Sequence, residues 1–437
     1  VQHVRPLAVV CIAKAIRTFG FGCISVVLAL FLLKQGFSAA VVGAIFSATL
    51  IEDAIVTTLV STLAVRIGLR RILLGSSALV ILCGAALAFC NIPWVIVCAA
   101  IFGIVSPAGY EGGPFSPIEQ TIISESEPAS NLTRAFSWYN LTGFGGAALG
   151  ALFAGWAMTS NNLHFASLGL NMYQSMFLLY AVGGAVLGLL YCLLKVPTQL
   201  TLEKEFALAV KARKAKGTVF SQINLHKSKG NVLKLATLQG LDSFGGGFVA
   251  QSLIAYWFFL RYQAGPEFMG PVFFWTNVFA AISFTMAPLV VKRIGLLNTM
   301  VFTHLPCSMA LCLIPFMPDA SAAAIVLLCR SLFSSMDIPV RQAYSMLLVC
   351  PDERPAAAGI ISAARAICQG AGPLASGIVL NSAGAVFGLP FICAGLTKSV
   401  YDIGLYACFR NVPLETPESM STETSGELRQ AAKTPAV

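Results

Sequence analysis

Eleven ionisable side chains stand inside stretches that are otherwise apolar: Lys14, Arg17, Glu52, Asp53, Glu111, Asp242, Arg330, Asp337, Arg365, Lys398 and Asp402. At the centre of a bilayer each would cost roughly 2.5 to 3.5 kcal/mol, so each needs a partner, a water-filled cavity or a purpose. The chemistry open to them is ion pairing, proton carriage and binding of a charged solute. No H-E-x-x-H, G-x-S-x-G or metal-spaced cluster accompanies them, so neither an enzyme nor a metal site is expected. No G-x-x-x-x-G-K-[ST] is present, so ATP hydrolysis has no support and no cofactor is expected.

Two of these charges belong to a repeat. "IRTFGFG", residues 16–22, returns as "LDSFGGG", residues 241–247, so that Arg17, Phe19, Gly20 and Gly22 meet Asp242, Phe244, Gly245 and Gly247 at an offset of 225. "SPIEQ" at 116–120 returns as "IPVRQ" at 338–342, aligning Glu119 with Arg341 at an offset of 222. "VRIGLRR" at 65–71 returns as "KRIGLLN" at 292–298, aligning Arg66 with Arg293 at an offset of 227. Gly150 and Gly155 match Gly372 and Gly377, again at 222. Four matches in register indicate two structural copies. Two six-helix copies in the same orientation imply an approximate two-fold axis along the membrane normal. Residues matched near such an axis face each other, and both matched pairs are opposite in charge. The expectation is that Arg17 and Asp242 line a central cavity, while Glu119 and Arg341 close the cytoplasmic side. The plainer alternatives are a static ion pair for Arg17 and solvated helix ends for Glu119 and Arg341.

Glu52 and Asp53, in "LIEDAIV", have no acidic counterpart in the second copy. Adjacent helical residues point about 100° apart, so one of the two faces the cavity. A carboxylate that alternates between a poorly solvated cavity and a nearby arginine changes its affinity for a proton. Asp53 opposite Arg17 is therefore the expected proton carrier, with Glu52 in reserve and Asp242 as a third coupling residue. Lys14, Arg17, Arg365 and Gln369 are expected to bind substrate, the last two being one turn apart. Tyr256 and Trp257 either stack on substrate or belong to an interfacial aromatic belt. Asp337 and Arg341 are spaced i, i+4 around Pro339, which suits either a gate or a local pair repairing a kink. Glu111 lies in "GYEGGP", where a helix should break. His304 either relays protons or is a hydrogen-bonded interior histidine.

These residues have to be positioned by membrane-spanning helices. The 437 residues are 57% apolar and 11% charged, with mean hydropathy +0.79, whereas a soluble domain carries about 25% charged residues. Apolar runs of about 20 residues, enough to span a bilayer, begin near 7, 37, 72, 93, 135, 171, 232, 268, 297, 320, 356 and 388. The fold class expected is an all-α membrane protein of twelve transmembrane helices in two pseudo-symmetric six-helix bundles. The bundles are residues 1–195 and 232–410, joined by a basic cytoplasmic linker at 196–231 and followed by a polar tail at 411–437. With the N-terminus inside, the cytoplasmic segments hold 21 Lys and Arg and the outer loops two, Lys34 and Arg261. That asymmetry puts both termini in the cytoplasm of a multi-pass plasma or bacterial inner membrane protein. It also assigns the net charge of +9 to a surface facing anionic lipid rather than nucleic acid. Thirteen scattered cysteines without a C-x-x-C pair read as small buried hydrophobes.

The stretch from Ser61 to Arg71 resembles the major facilitator superfamily, whose loop between helices 2 and 3 carries G-x-x-x-D-R-x-G-R-R. Arg66, Gly68 and Arg70 match, with Arg71 one residue beyond; Ser61, Val65 and Leu69 replace the first glycine, the aspartate and the first of the paired arginines. The resemblance implies that the aspartate's latching role, with Arg66 and Arg293 at the cytoplasmic gate, falls to other carboxylates: Glu119 and Asp337 beside Arg341. A second family signature, G-P-x-x-G-G, marks proton-exchanging exporters and is approximated by "GAGPLASG" at 370–377. The resemblance implies a secondary active transporter working by alternating access, a monomer whose partners are a small solute, protons and the lipid bilayer. Export of a small amphiphilic or anionic compound by proton antiport is the first expectation. Uptake of an organic anion with protons, and a non-transporting membrane sensor, are the alternatives.

Overall fold

A computed structural model describes residues 6–109, 113–128, 131–160, 169–194, 228–349, 353–381 and 385–412, without the side chains of 61–66, 125, 132, 133, 160, 354–356, 385 and 386. The basic central segment, the C-terminal tail, Glu111 and the side chain of Arg66 lie outside the described residues. The described chain is all helix. In order it forms α1 (Pro6–Lys34), α2 (Ala39–Ile67), α3 (Leu69–Phe89), α4 (Pro93–Phe102), α5 (Phe115–Ser126), α6 (Leu132–Ser160) and α7 (Met172–Leu193). After the central segment come α8 (Lys229–Phe248), α9 (Gln251–Tyr262), α10 (Pro266–Ile294), α11 (Leu296–Leu313), α12 (Ala320–Ser334), α13 (Asp337–Leu347), α14 (Arg354–Leu380) and α15 (Leu389–Phe409).

Among the described residues, eight stretches are long and apolar enough to cross a membrane, α12 and α13 counting together, and nine if the bent pair α8 and α9 is one span. The remaining runs depart from that description for local reasons. α4 stops after ten residues because Gly103 ends it, and the described residues that follow, 104–109, 113 and 114, are not helical. Ile104, Gly109 and Gly113 take positive φ in this stretch (53°, 83° and 75°), which a continuing right-handed helix cannot accommodate. α14 and α15 mix Arg365, Lys398 and Asp402 into their apolar faces. α8 and α9 meet at 41° across Val249 and Ala250. α12 gives way to α13 at Ser335 and Met336, which leaves Pro339 in the first turn of α13, where its missing N–H costs nothing.

α1 is the most enclosed span, with 78% of its apolar window buried. It packs against α6 and α7, as α8 packs against α14 and α15. α2 lies along α14, and α10 lies along α6. Glycines set these distances. A Cβ on Gly372 of α14 would stand 2.5 Å from the Cα of Gly247 on α8, closer than real Cβ atoms come. Small residues let membrane helices approach this closely, where dispersion replaces the missing hydrophobic drive.

Candidate functional site

Four helices converge on Glu119. Arg17 of α1 meets the carboxylate of α5 side-on, Nη1 to Oε1 and Nη2 to Oε2, both at 2.8 Å. Tyr191 of α7 donates its hydroxyl to Oε1 at 2.6 Å and Tyr139 of α6 donates to Oε2 at 2.8 Å. The guanidinium also stacks 4.7 Å above the Phe115 ring. Lys14, one turn earlier, donates to Ser116 Oγ at 3.3 Å and lies 4.5 Å from the centre of the Tyr139 ring. The side chains of Arg17 and Glu119 are 1% and 0% exposed. Two parallel charge-assisted bonds and two tyrosine donors satisfy the carboxylate completely, which is the condition under which a buried pair persists.

The second copy builds the corresponding contact with the polarity reversed. Asp242 of α8 accepts from Arg341 Nη1 of α13 at 2.7 Å and from Lys398 Nζ of α15 at 2.7 Å. His304 of α11 extends the network: its Nε2 stands 3.8 Å from Asp242 Oδ1, and its Nδ1 is 2.9 and 3.0 Å from the two oxygens of Asp402. Ser308 donates to Asp402 at 3.3 Å, and Asp337 lies 3.2 Å from Arg341. Unlike the N-terminal pair, this network borders open space. A cavity of about 300 Å³ is walled in part by Asp242, Arg330, Arg341, Arg365, Gln369 and Lys398.

The expected pairings across the axis are therefore replaced. Arg17 pairs with Glu119 rather than facing Asp242, and Arg341 pairs with Asp242 rather than with Glu119. The reason lies in the duplication. A copied unit keeps its internal contacts, so if position 17 touches position 119, then 242 touches 341. Charge reversal on both members preserves the pair within each copy. Glu119 and Arg341, 0% and 5% exposed, are not solvated helix ends. Arg17 and Lys14 do not reach the cavity wall, whereas Arg365 and Gln369 do, and Arg365 Nε is held by Ser243 Oγ at 3.1 Å. Tyr256 and Trp257 are buried but form no part of that wall. Trp257 Nε1 donates to the Phe387 carbonyl at 3.0 Å and its ring packs 4.7 Å from Phe391.

Glu52 and Asp53 face Ile104 to Pro107 and Gly113, not Arg17. The Gly113 amide and the Thr57 hydroxyl both donate to Asp53 Oδ1, and the two acids border a crevice of about 10 Å³, room for about one water. Arg293 is exposed at the C-terminal end of α10. Asp402, Lys398 and Arg330 were visible in the sequence as membrane charges without an assigned role. The i, i+4 spacing of Lys398 and Asp402 was the signal that α15 turns one charged face inward.

This arrangement has relatives. An uncharacterized membrane protein of Saccharomyces cerevisiae, YJR124C, is 24% identical over 424 residues, covering 93% of this chain and 94% of its own. The structure of the nucleoside transporter NupG superposes with a TM-score of 0.67 at 11% identity over 93% of this chain and 99% of that one. The inward-open xylose transporter XylE of E. coli gives 0.69 at 15% identity over 95% and 97%. At such identities the two structures speak for the fold. The model of one family matches residues 10–373, and the chain thus belongs to the Major Facilitator Superfamily.

Proposed function

We propose that the protein is a secondary active transporter working by alternating access, with twelve spans in two six-helix halves, 1–195 and 232–410, and both termini cytoplasmic. The contacts between the halves support the two-fold relation. Gly155 of α6 meets Gly270 of α10, and Gly377 of α14 meets Gly43 of α2, each pair with a prospective Cβ 3.0 Å or less from the partner's Cα. The copy relation turns Gly155 into Gly377 and Gly43 into Gly270, at offsets of 222 and 227. Exchanging the halves therefore exchanges the two contacts, as a two-fold axis requires.

The cargo is a small amphiphilic or anionic compound, bound in the cavity against Arg365 and Gln369, and coupled to protons through Asp242. One observation carries this reading: Asp242 is shared by Arg341 and Lys398 at 2.7 Å each, on the wall of the cavity. A proton on Asp242 would release two cations toward the solute, and loss of that proton would recapture them. An anionic solute and the ionised Asp242 thus compete for the same two cations, so proton and solute favour each other's binding, the logic of movement in one direction. This coupling supports uptake with protons; export in exchange for protons, the first expectation from the sequence, is the other direction, and whole cells compared with everted vesicles under an imposed pH gradient separate the two. Asp53 is the second candidate carrier, supported by its contact with the Gly113 amide. In proteoliposomes, Asp242→Asn should abolish pH-driven accumulation while leaving solute exchange without a gradient. Full pH-driven accumulation in that variant, with its loss in Asp53→Asn, would transfer the role to Asp53.

A further inference from the structure

We infer that the cargo is a small organic anion, carrying a carboxylate or phosphate, and that Arg330 is the residue that receives its charge; this rests on the transport reading above. Four cations border the cavity, Arg330, Arg341, Arg365 and Lys398, against two carboxylates, Asp242 and Asp337. Asp242 is held by Arg341 and Lys398 at 2.7 Å, and Asp337 is ion-paired with Arg341 at 3.2 Å, although its Oδ2 makes no hydrogen bond. Asp402, behind them, is taken by His304. Among the described residues no carboxylate lies within ion-pair distance of Arg330, and its Nε is buried without a hydrogen-bond partner. An uncompensated guanidinium in a membrane interior is costly and persists where something charged arrives to meet it.

Geometry gives the cargo's other features. Arg330 is on α12 and Arg365 on α14, so the two guanidinium groups approach the space from different helices. The hydroxyls of Thr276, Ser331 and Ser334 and the amide of Gln369 add neutral hydrogen-bonding groups to the wall. A volume of about 300 Å³ is at the small end for solute sites. The fit is to a compact polar acid, such as a di- or tricarboxylate or a sugar phosphate, rather than to a bulky lipophilic compound. Arginine suits this role because its planar fork matches a carboxylate or phosphate with two donors.

The test uses the purified full-length protein and its thermal unfolding midpoint with succinate, citrate, glycerol 3-phosphate, inorganic phosphate, sulfate, xylose, inosine and choline. Succinate, citrate or glycerol 3-phosphate should raise the wild-type midpoint by several degrees, and which of them does so distinguishes carboxylate from phosphate cargo. Arg330→Gln should weaken that ligand roughly 10- to 100-fold, the worth of a hydrogen bond to a charged group, with Arg330→Lys in between. The ligand-free midpoint of Arg330→Gln should not fall, because no internal partner is orphaned; a merely structural arginine would lower it. Stabilisation by none of the organic anions, by sulfate or inorganic phosphate alone, or undiminished in Arg330→Gln overturns the assignment. Flux of each compound in proteoliposomes keeps the two readings apart. Xylose, inosine or choline moving while the anions do not would sink only the anion, whereas no flux of any compound sinks transport itself.

Discussion

Arg17 and Glu119 form a closed unit: two bonds of 2.8 Å, two tyrosine donors and an aromatic lid leave the carboxylate no unmet valence. Removing one partner strands the other's charge in a site without water, a loss of about 3 to 5 kcal/mol for buried pairs of this kind. Glu119→Gln should therefore lower the thermal midpoint by many degrees. The double variant Arg17→Glu with Glu119→Arg should recover part of that loss, since the second copy already uses the reversed polarity at Asp242 and Arg341. Glu119→Arg with Arg341→Glu should recover nothing, and recovery there would revive direct pairing between the copies. At this scale the sequence revealed which charges matter and that they come in matched opposites. It did not reveal who pairs with whom. Residues 17 and 119 are brought together by how α1 and α5 are rotated against each other, and that rotation depends on every side chain along both helices.

Elements were more legible than pairings, because hydrophobic length is a property of one segment. All twelve runs expected from the sequence, from the one near residue 7 to the one near 388, begin within three residues of the start of an observed helix. "GYEGGP" marked the break between α4 and α5 through its glycines, although the unwinding begins earlier, at Gly103. The bend between α8 and α9, at Val249 and Ala250, likewise follows a glycine run, Gly245 to Gly247 at the end of α8. Packing between elements depends on where glycine is irreplaceable, and two substitutions separate the cases. Gly372→Ala would place a Cβ 2.5 Å from backbone of α8, so α8 and α14 must part and both stability and transport should fall. Gly75→Ala in α3 meets nothing within 4 Å and should be neutral or stabilising by up to about 1 kcal/mol, the helix-propensity gain. Equal effects in thermal unfolding would show that the α8–α14 approach does not limit stability.

For the whole molecule, the segments that match in register were plain in the sequence, and the conformational state was not, since different states share one sequence. The side on which the copies touch decides that state. Gln251 donates to Ser25 at 3.0 Å, the Ser252 amide donates to the Pro107 carbonyl at 3.0 Å, and the Leu374 amide donates to Ser47 at 2.7 Å. With the proposed topology, Ser25 lies beyond the middle of an outward-running α1, and Gln251 begins the outer part of its span. Gly43, Gly155, Gly270 and Gly377 are all near outer helix ends too. The contacts between copies thus gather on the outer side, which closes that side and leaves the cavity to open toward the cytoplasm. None of the cavity-wall residues is cysteine, so Thr276→Cys on that wall reports access to it. In inside-out vesicles a membrane-impermeant thiol reagent should label Thr276→Cys quickly, and in right-side-out vesicles slowly. Adding Gln251→Ala removes one bond worth about 1 kcal/mol from the outer closure, which should raise labelling from outside about fivefold through the population of the opposite state. Fast labelling from outside before that change would mean that the topology is inverted or that the outer contacts do not form the closed side.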